Sequence, residues 1–211
     1  MALVQLLLSY EIGLTRLECN QGIAMSLNSL LVPTYKQMLA TLSAWLSKAQ
    51  EQMGEEAERL LSAKLASDMF PLSTQVRFAC VQAREGVCRL MGEQFPPSLQ
   101  ALLDEGRNAG DNPGSIADAK ARIDETIALI EALPAGALDG DEQRPIEHAL
   151  PIGLTFDLTA EQYARDWALP QFYFHLMIAY AILRNQGVDI GKADYVTHMF
   201  AYARPGTLPT N

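Results

Sequence analysis

Three histidines, His148, His175 and His198, raise the first chemical question in this chain. Imidazole is the commonest metal ligand and the side chain that exchanges protons near neutral pH. A zinc or nickel site on a helix needs a second ligand one turn away, at i+3 or i+4. From His175 those positions hold Ile178 and Ala179, and no H-x-x-x-H, H-x-x-E or E-x-x-H pair occurs anywhere. Ligand spacing therefore predicts no metal site, and nothing local brings His148 or His198 to His175. What His175 could meet instead is hydroxyl and amide. Tyr173 and Tyr180 share its stretch, Tyr35 comes from the first helix and Gln75 from the start of the second. If these five converge at one end of a bundle, they form a polar pocket in an apolar wall, the usual character of a small-molecule site. A hydrogen-bonded core network that fixes helix register accounts for the same residues, and on the residues alone it is the favoured of the two readings.

Other chemistries find less support. There is no G-x-S-x-G nucleophile elbow and no glycine-rich loop between strand and helix for a nucleotide phosphate. The acidic pairs Glu55/Glu56 and Asp124/Glu125 lie on amphipathic stretches and read as solvated faces. No catalytic residue is assignable. Cys80 and Cys88, eight positions apart on one helix, would lie roughly 12 Å apart along it, too far for a disulfide. With Cys19 the count is odd and no C-x-x-C occurs, so reduced thiols and a cytoplasmic location are expected.

The elements that must position His175 are mostly helical. Leu31, Tyr35, Met38, Leu39, Leu42, Trp45 and Leu46 recur at spacings of three and four, predicting a helix from Leu30 to about Met53, ended by Gly54. A short helix in "EEAERLLSAKL" is expected next, with acids in its first turn. After the break "SDMFPL", capped by Asp68 and opened by Pro71, a second helix runs to about Met91, with Val76, Ala79, Cys80, Ala83 and Val87 inward. Residues 92–114, with three prolines and four glycines, read as a long connection holding at most one short turn in "LQALLDE". Ser115 and Asp118 mark a capping start for a helix from Ser115 to Leu133. The period then shifts to two: "RPIEHALPIGLTFDLT" reads as a β-hairpin, with His148 on the face of Ile146 and Leu150. Thr159 caps a helix that Pro170 kinks or restarts, and "LPQFYFHLMIAYAIL" is apolar nearly all round. It must be central or lie in a subunit interface.

The sum is an all-α, up-down four-helix bundle with a small β-hairpin before the last helix. Residues 1–24 read as an N-terminal extension, 25–199 as the bundle and 200–211 as a tail. The 211 residues carry a formal net charge of −9 without a basic stripe, which argues against nucleic acid and an anionic membrane surface. Charged residues are only 19 %, leaving apolar surface for a partner, and a homodimer is expected.

Three segments, "MSLNSLLVPTYKQMLATLSAWLSKA", "LASDMFPLSTQVRFAC" and "WALPQFYFHLMIAYAILRNQGVDIGKADYV", resemble a bacterial domain-of-unknown-function family in the DinB/YfiT-like superfamily of metalloenzymes. The likeness runs from about Met25 to Val196. It implies a four-helix bundle, often dimeric. In the wider superfamily a histidine of the second helix and an H-x-x-x-H pair of the last bind a divalent metal, and some members are thiol-dependent transferases or isomerases. His175 is the only residue here that matches such a ligand. Its i+4 partner is Ala179, and the second helix carries Arg77, Phe78 and Ala79 where a ligand would stand. The resemblance thus points to a degenerate metal site and a small molecule bound around His175, with no cofactor. A zinc- or nickel-dependent thiol transferase and a ligand-free structural or interaction protein are the competing readings.

Overall fold

The computed structural model describes residues 26–207. The extension 1–24, Cys19 within it and the last four residues of the tail lie outside that range. Helix α1 (Leu27–Met53) begins three residues before the Leu30 start expected from its apolar stripe, because the Ser26 side chain accepts from the Ser29 amide and caps the first turn. A 3-10 helix, Gly54–Ser62, replaces the short α-helix expected there. Helix α2 (Leu72–Met91) has Pro71 at its N-cap with no side-chain cap, so Asp68 takes no part, and Gly92 ends it in the left-handed conformation at φ 71°.

Residues 92–114 differ most from the sequence reading. They hold a twelve-residue helix, α3 (Pro97–Asn108), and not a single turn. Pro96 at the N-cap and Pro97 at N1 are compatible with a helix start, where a missing N–H loses nothing. Gly106 inside α3 is explained by packing: a Cβ there would fall 2.6 Å from the Phe78 ring. Helix α4 (Ile116–Glu131) opens with the complete Ser115/Asp118 capping box. Strands β1 (Pro145–Ala149) and β2 (Thr155–Thr159) pair antiparallel with Ile146 opposite Leu158 and His148 opposite Phe156. Thr159 caps α5 (Ala160–Gln162), which runs through a π-helical stretch, Tyr163–Ala168, into α6 (Leu169–Asn185). Pro170 supplies no N–H and would collide with the carbonyl four residues back; widening the turn before it keeps the helix continuous. A short α7 (Lys192–Tyr195) and a 3-10 turn, Thr197–Tyr202, complete the described chain.

The four long helices surround one core. Helix α2 packs on α4 and α6, and α1 packs on the same two, so α1 and α2 face each other across a diagonal. Each step across a diagonal uses a long connection, 54–71 between α1 and α2 and 132–159 between α4 and α5. Leu31, Leu39, Leu42, Trp45, Leu72, Ile123, Phe172 and Leu176 fill the centre, all fully buried. Area removed from water on this scale is the main stabilising term. Among the described residues no helix is long and apolar enough to cross a membrane.

Candidate functional site

His175 lies on the α6 face turned toward α2 and is nearly buried. Its Nδ1 is 2.9 Å from Oε1 of Gln75, from the first turn of α2. The Gln75 amide nitrogen donates to the Phe70 carbonyl at 3.3 Å, which leaves its oxygen for the imidazole. An amide oxygen only accepts, so Nδ1 carries the proton and Nε2 offers a lone pair. Burial lowers the His175 pKa to about 4, so the ring is neutral at pH 7. Nε2 makes no hydrogen bond among the described residues and, unlike both ring nitrogens of His148, is not sealed from solvent.

Two phenyl rings flank the imidazole edge-on, Phe78 with centroids 5.3 Å apart and Phe174 at 5.4 Å. Phe70 lies edge-on to Phe78 in turn. Phe70 and Phe174 are 53 % and 55 % exposed, so the histidine sits behind an aromatic surface. None of these three rings stands out in the sequence as part of a site. Phe174 adjoins His175, and Phe78 is one helical turn from Gln75, but only the α2–α6 contact brings them together.

Of the five residues read as a pocket, the structure joins His175 and Gln75. The three tyrosines make their contacts elsewhere. Tyr173 packs edge-on against Phe172, and burial raises its pKa. Tyr180 meets Trp45 of α1 with ring centroids 5.2 Å apart. Tyr35 is fully buried against Phe172. Its hydroxyl has no partner among the described residues and fills the space left by Gly86, where a Cβ would be 2.7 Å away. Several surface clefts open elsewhere, among them one beside Arg89 and Arg144 and one between α2 and α4, and these are not lined by any of the five.

The other histidines stand apart. His148 of β1 is 2 % exposed, with Trp167 at 4.3 Å and Tyr163 at 5.5 Å between ring centroids. Neither of its nitrogens has a partner among the described residues, and burial lowers its pKa to about 4. His198 borders a cleft with Thr41 and Asp194. The positions that would hold a metal beside His175 do not fit one. Ala179 has no donor atom, Phe78 covers the ring, and Arg77 is turned to Glu105 at 2.7 Å. Among the described residues no three His, Cys, Asp or Glu side chains are grouped to hold an ion. Cys80 is free and buried, its thiol pushed up to about 12 by desolvation, far from the thiolate a ligand or nucleophile needs.

The bundle of four long helices with a hairpin before the last of them is of the DinB-like fold class. It is similar to the crystal structure of a DinB family member protein from Shewanella denitrificans, with 31 % identity over 87 % of this chain and 96 % of that one and a TM-score of 0.65. Residues 27–196 match the profile of a domain of unknown function, DUF1993, and the chain belongs to that family. No curated protein matches.

Proposed function

We propose that this protein binds a small molecule at His175, on a DinB-like bundle whose metal site has been given up. The observation that carries the reading is the fixed, neutral imidazole. Gln75 holds Nδ1–H, and Nε2, not sealed from solvent, is left as an acceptor on a ring flanked by Phe78 and Phe174. Such a group recognises a hydroxyl or amide N–H, and the rings beside it favour a flat or apolar body. Tyr173, Tyr180 and Tyr35 make their ring contacts away from His175, with Phe172 and Trp45, and the reading does not depend on them. No cofactor is needed, since the ring acts as a hydrogen-bond acceptor and not as a ligand.

Thermal-shift measurements across a metabolite library test this. The account expects at least one hydroxyl- or amide-bearing compound to raise the melting temperature of the wild type by about 3 °C or more, as ligand binding to the native state alone requires. His175→Ala, itself less stable, should show no such rise. A library that stabilises neither protein would favour the ligand-free structural network.

Homodimerisation is part of the same reading. Its support is Phe174 and Met177, exposed one turn apart on α6. Sedimentation should give a dimer for the wild type and a monomer for Phe174→Glu; a monomeric wild type at about 50 μM would remove the proposal. A cytoplasmic location is supported by the free thiols of Cys80 and Cys88.

A further inference from the structure

Arg84 lies on the side of α2 away from His175, 6 % exposed. Its one hydrogen bond among the described residues runs from Nη2 to the Ser98 hydroxyl, at 2.8 Å. A buried guanidinium is ordinarily matched by a carboxylate, because an isolated charge taken out of water costs several kcal/mol. One carboxylate bordering the same groove as Arg84 is already engaged. Glu105 gives Oε1 to Arg77 at 2.7 Å and Oε2 to Arg122 at 2.8 Å. Arg84 borders the same groove as Glu105, Arg122 and Glu125, and of Arg77, Arg84 and Arg122 it is the one without an ion pair among the described residues.

The unmatched charge opens on a cleft. Between α2, the start of α3 and the end of α4 lies a cavity of about 250 Å³, walled by Arg84 and Ser98 at the polar end and by Val87, Met91, Ile130 and Leu133 along its length. The carboxylate that also borders it, Glu93, is exposed to water. Leu129 stands at the rim, 47 % exposed. The Ser98 amide belongs to the first turn of twelve-residue α3, whose N-terminal N–H groups add to the positive potential there.

We propose that this cleft binds a small monocarboxylic acid with an apolar body, its carboxylate on Arg84 and Ser98 and its hydrocarbon along Val87, Met91 and Ile130. The planar fork of an arginine matches a carboxylate in two parallel hydrogen bonds. A dicarboxylate would gain the same charge contact but would bring a second charged group against the apolar wall. The site is separate from His175, because α2 turns Gln75 toward α6 and Arg84 toward α3.

Titration of the full chain with octanoate, followed by calorimetry, tests the assignment, with octan-1-ol and acetate as the matched probes. Saturable octanoate binding at one site per chain is expected, about tenfold or more tighter than either probe. Arg84→Met, which keeps the hydrocarbon stem, should abolish that preference for octanoate over the alcohol. Leu129→Glu changes only the exposed rim, cannot be excused by misfolding, and should weaken octanoate about tenfold by placing a like charge at the entrance. His175→Ala should bind octanoate as the wild type does, so failure of the His175 pocket would leave this result standing. Equal affinity for octanoate and octan-1-ol, unchanged binding by Arg84→Met or Leu129→Glu, or no octanoate binding up to about 10 mM would each overturn the proposal.

Discussion

Acidification from pH 7 to about 4.5 is expected to remove on the order of 5 kcal/mol of stability through two histidines. His148 and His175 are both held neutral by burial, each with a folded pKa of about 4 against 6.5 when exposed. Between those values the unfolded chain binds two protons that the folded chain refuses, so stability falls with pH across that window. The contribution is complete above 6.5, is lost progressively below it, and is gone once pH passes below about 4, where both states are protonated. Arg89 adds to the effect at His148, since a nearby cation also disfavours the imidazolium. Asp118, Asp166 and Asp194, whose carboxyls are held below 3.8 by hydrogen bonds, act in the same direction but only at lower pH. Urea unfolding at the two pH values reads the loss directly. In His148→Phe/His175→Gln the dependence between pH 7 and 4.5 should nearly vanish, whatever the variant's absolute stability. A wild type as stable at pH 4.5 as at 7 would mean that folding does not disfavour the charged form of these rings.

Glu105→Ala is expected to lower the melting temperature by roughly 10 °C, about 3 kcal/mol for a chain of this size. Glu105 is 29 % exposed, yet it neutralises Arg77, whose side chain is 2 % exposed, and also ties Arg122 to α3. Without it Arg77 keeps one hydrogen bond, from Nη1 to the Ser73 carbonyl, and a buried charge with no counterion. The penalty lies in that stranded charge more than in the lost attraction. Replacing both partners, Arg77→Met with Glu105→Leu, should therefore recover most of the loss. Arg122→Ala should matter little, since that group is 39 % exposed and also bonds Glu125. Thermal melts of the four proteins decide the matter: a Glu105→Ala variant within about 2 °C of wild type would show that the charges are solvated.

Local signals in the chain were sufficient for much of this architecture. The stripe of α1, the Ser115 capping box of α4 and the two-residue period of the hairpin each act over one element, so neighbours in sequence contain the information. Helix α3 was not legible because Pro96, Pro97 and Gly106 look like breakers. The prolines sit where a helix starts, and the glycine answers to Phe78 of another helix, a tertiary demand that its own segment does not reveal. The site divides in the same way. An imidazole in an apolar helix facing an amide on the next was readable, and Gln75 is the residue that meets it. The tyrosines follow helical phase. Tyr173 and Tyr180, seven residues apart, fall on one face at 100° per residue, while His175 is turned some 160° from Tyr173. Tyr180 meets Trp45 of α1, whereas His175 faces α2. The exposed phenyl rings that cover His175 depend wholly on how α2 and α6 dock.

The central claim is that a hydrogen-bonded neutral imidazole now occupies what would be a metal-ligand position in the DinB-like bundle. Purification without chelator, saturation with zinc or nickel, desalting and elemental analysis test it most directly. The account predicts less than about 0.1 equivalent of either metal per chain, because a lone imidazole without co-ligands does not retain an ion through desalting. About one equivalent, lost in His175→Ala, would contradict it.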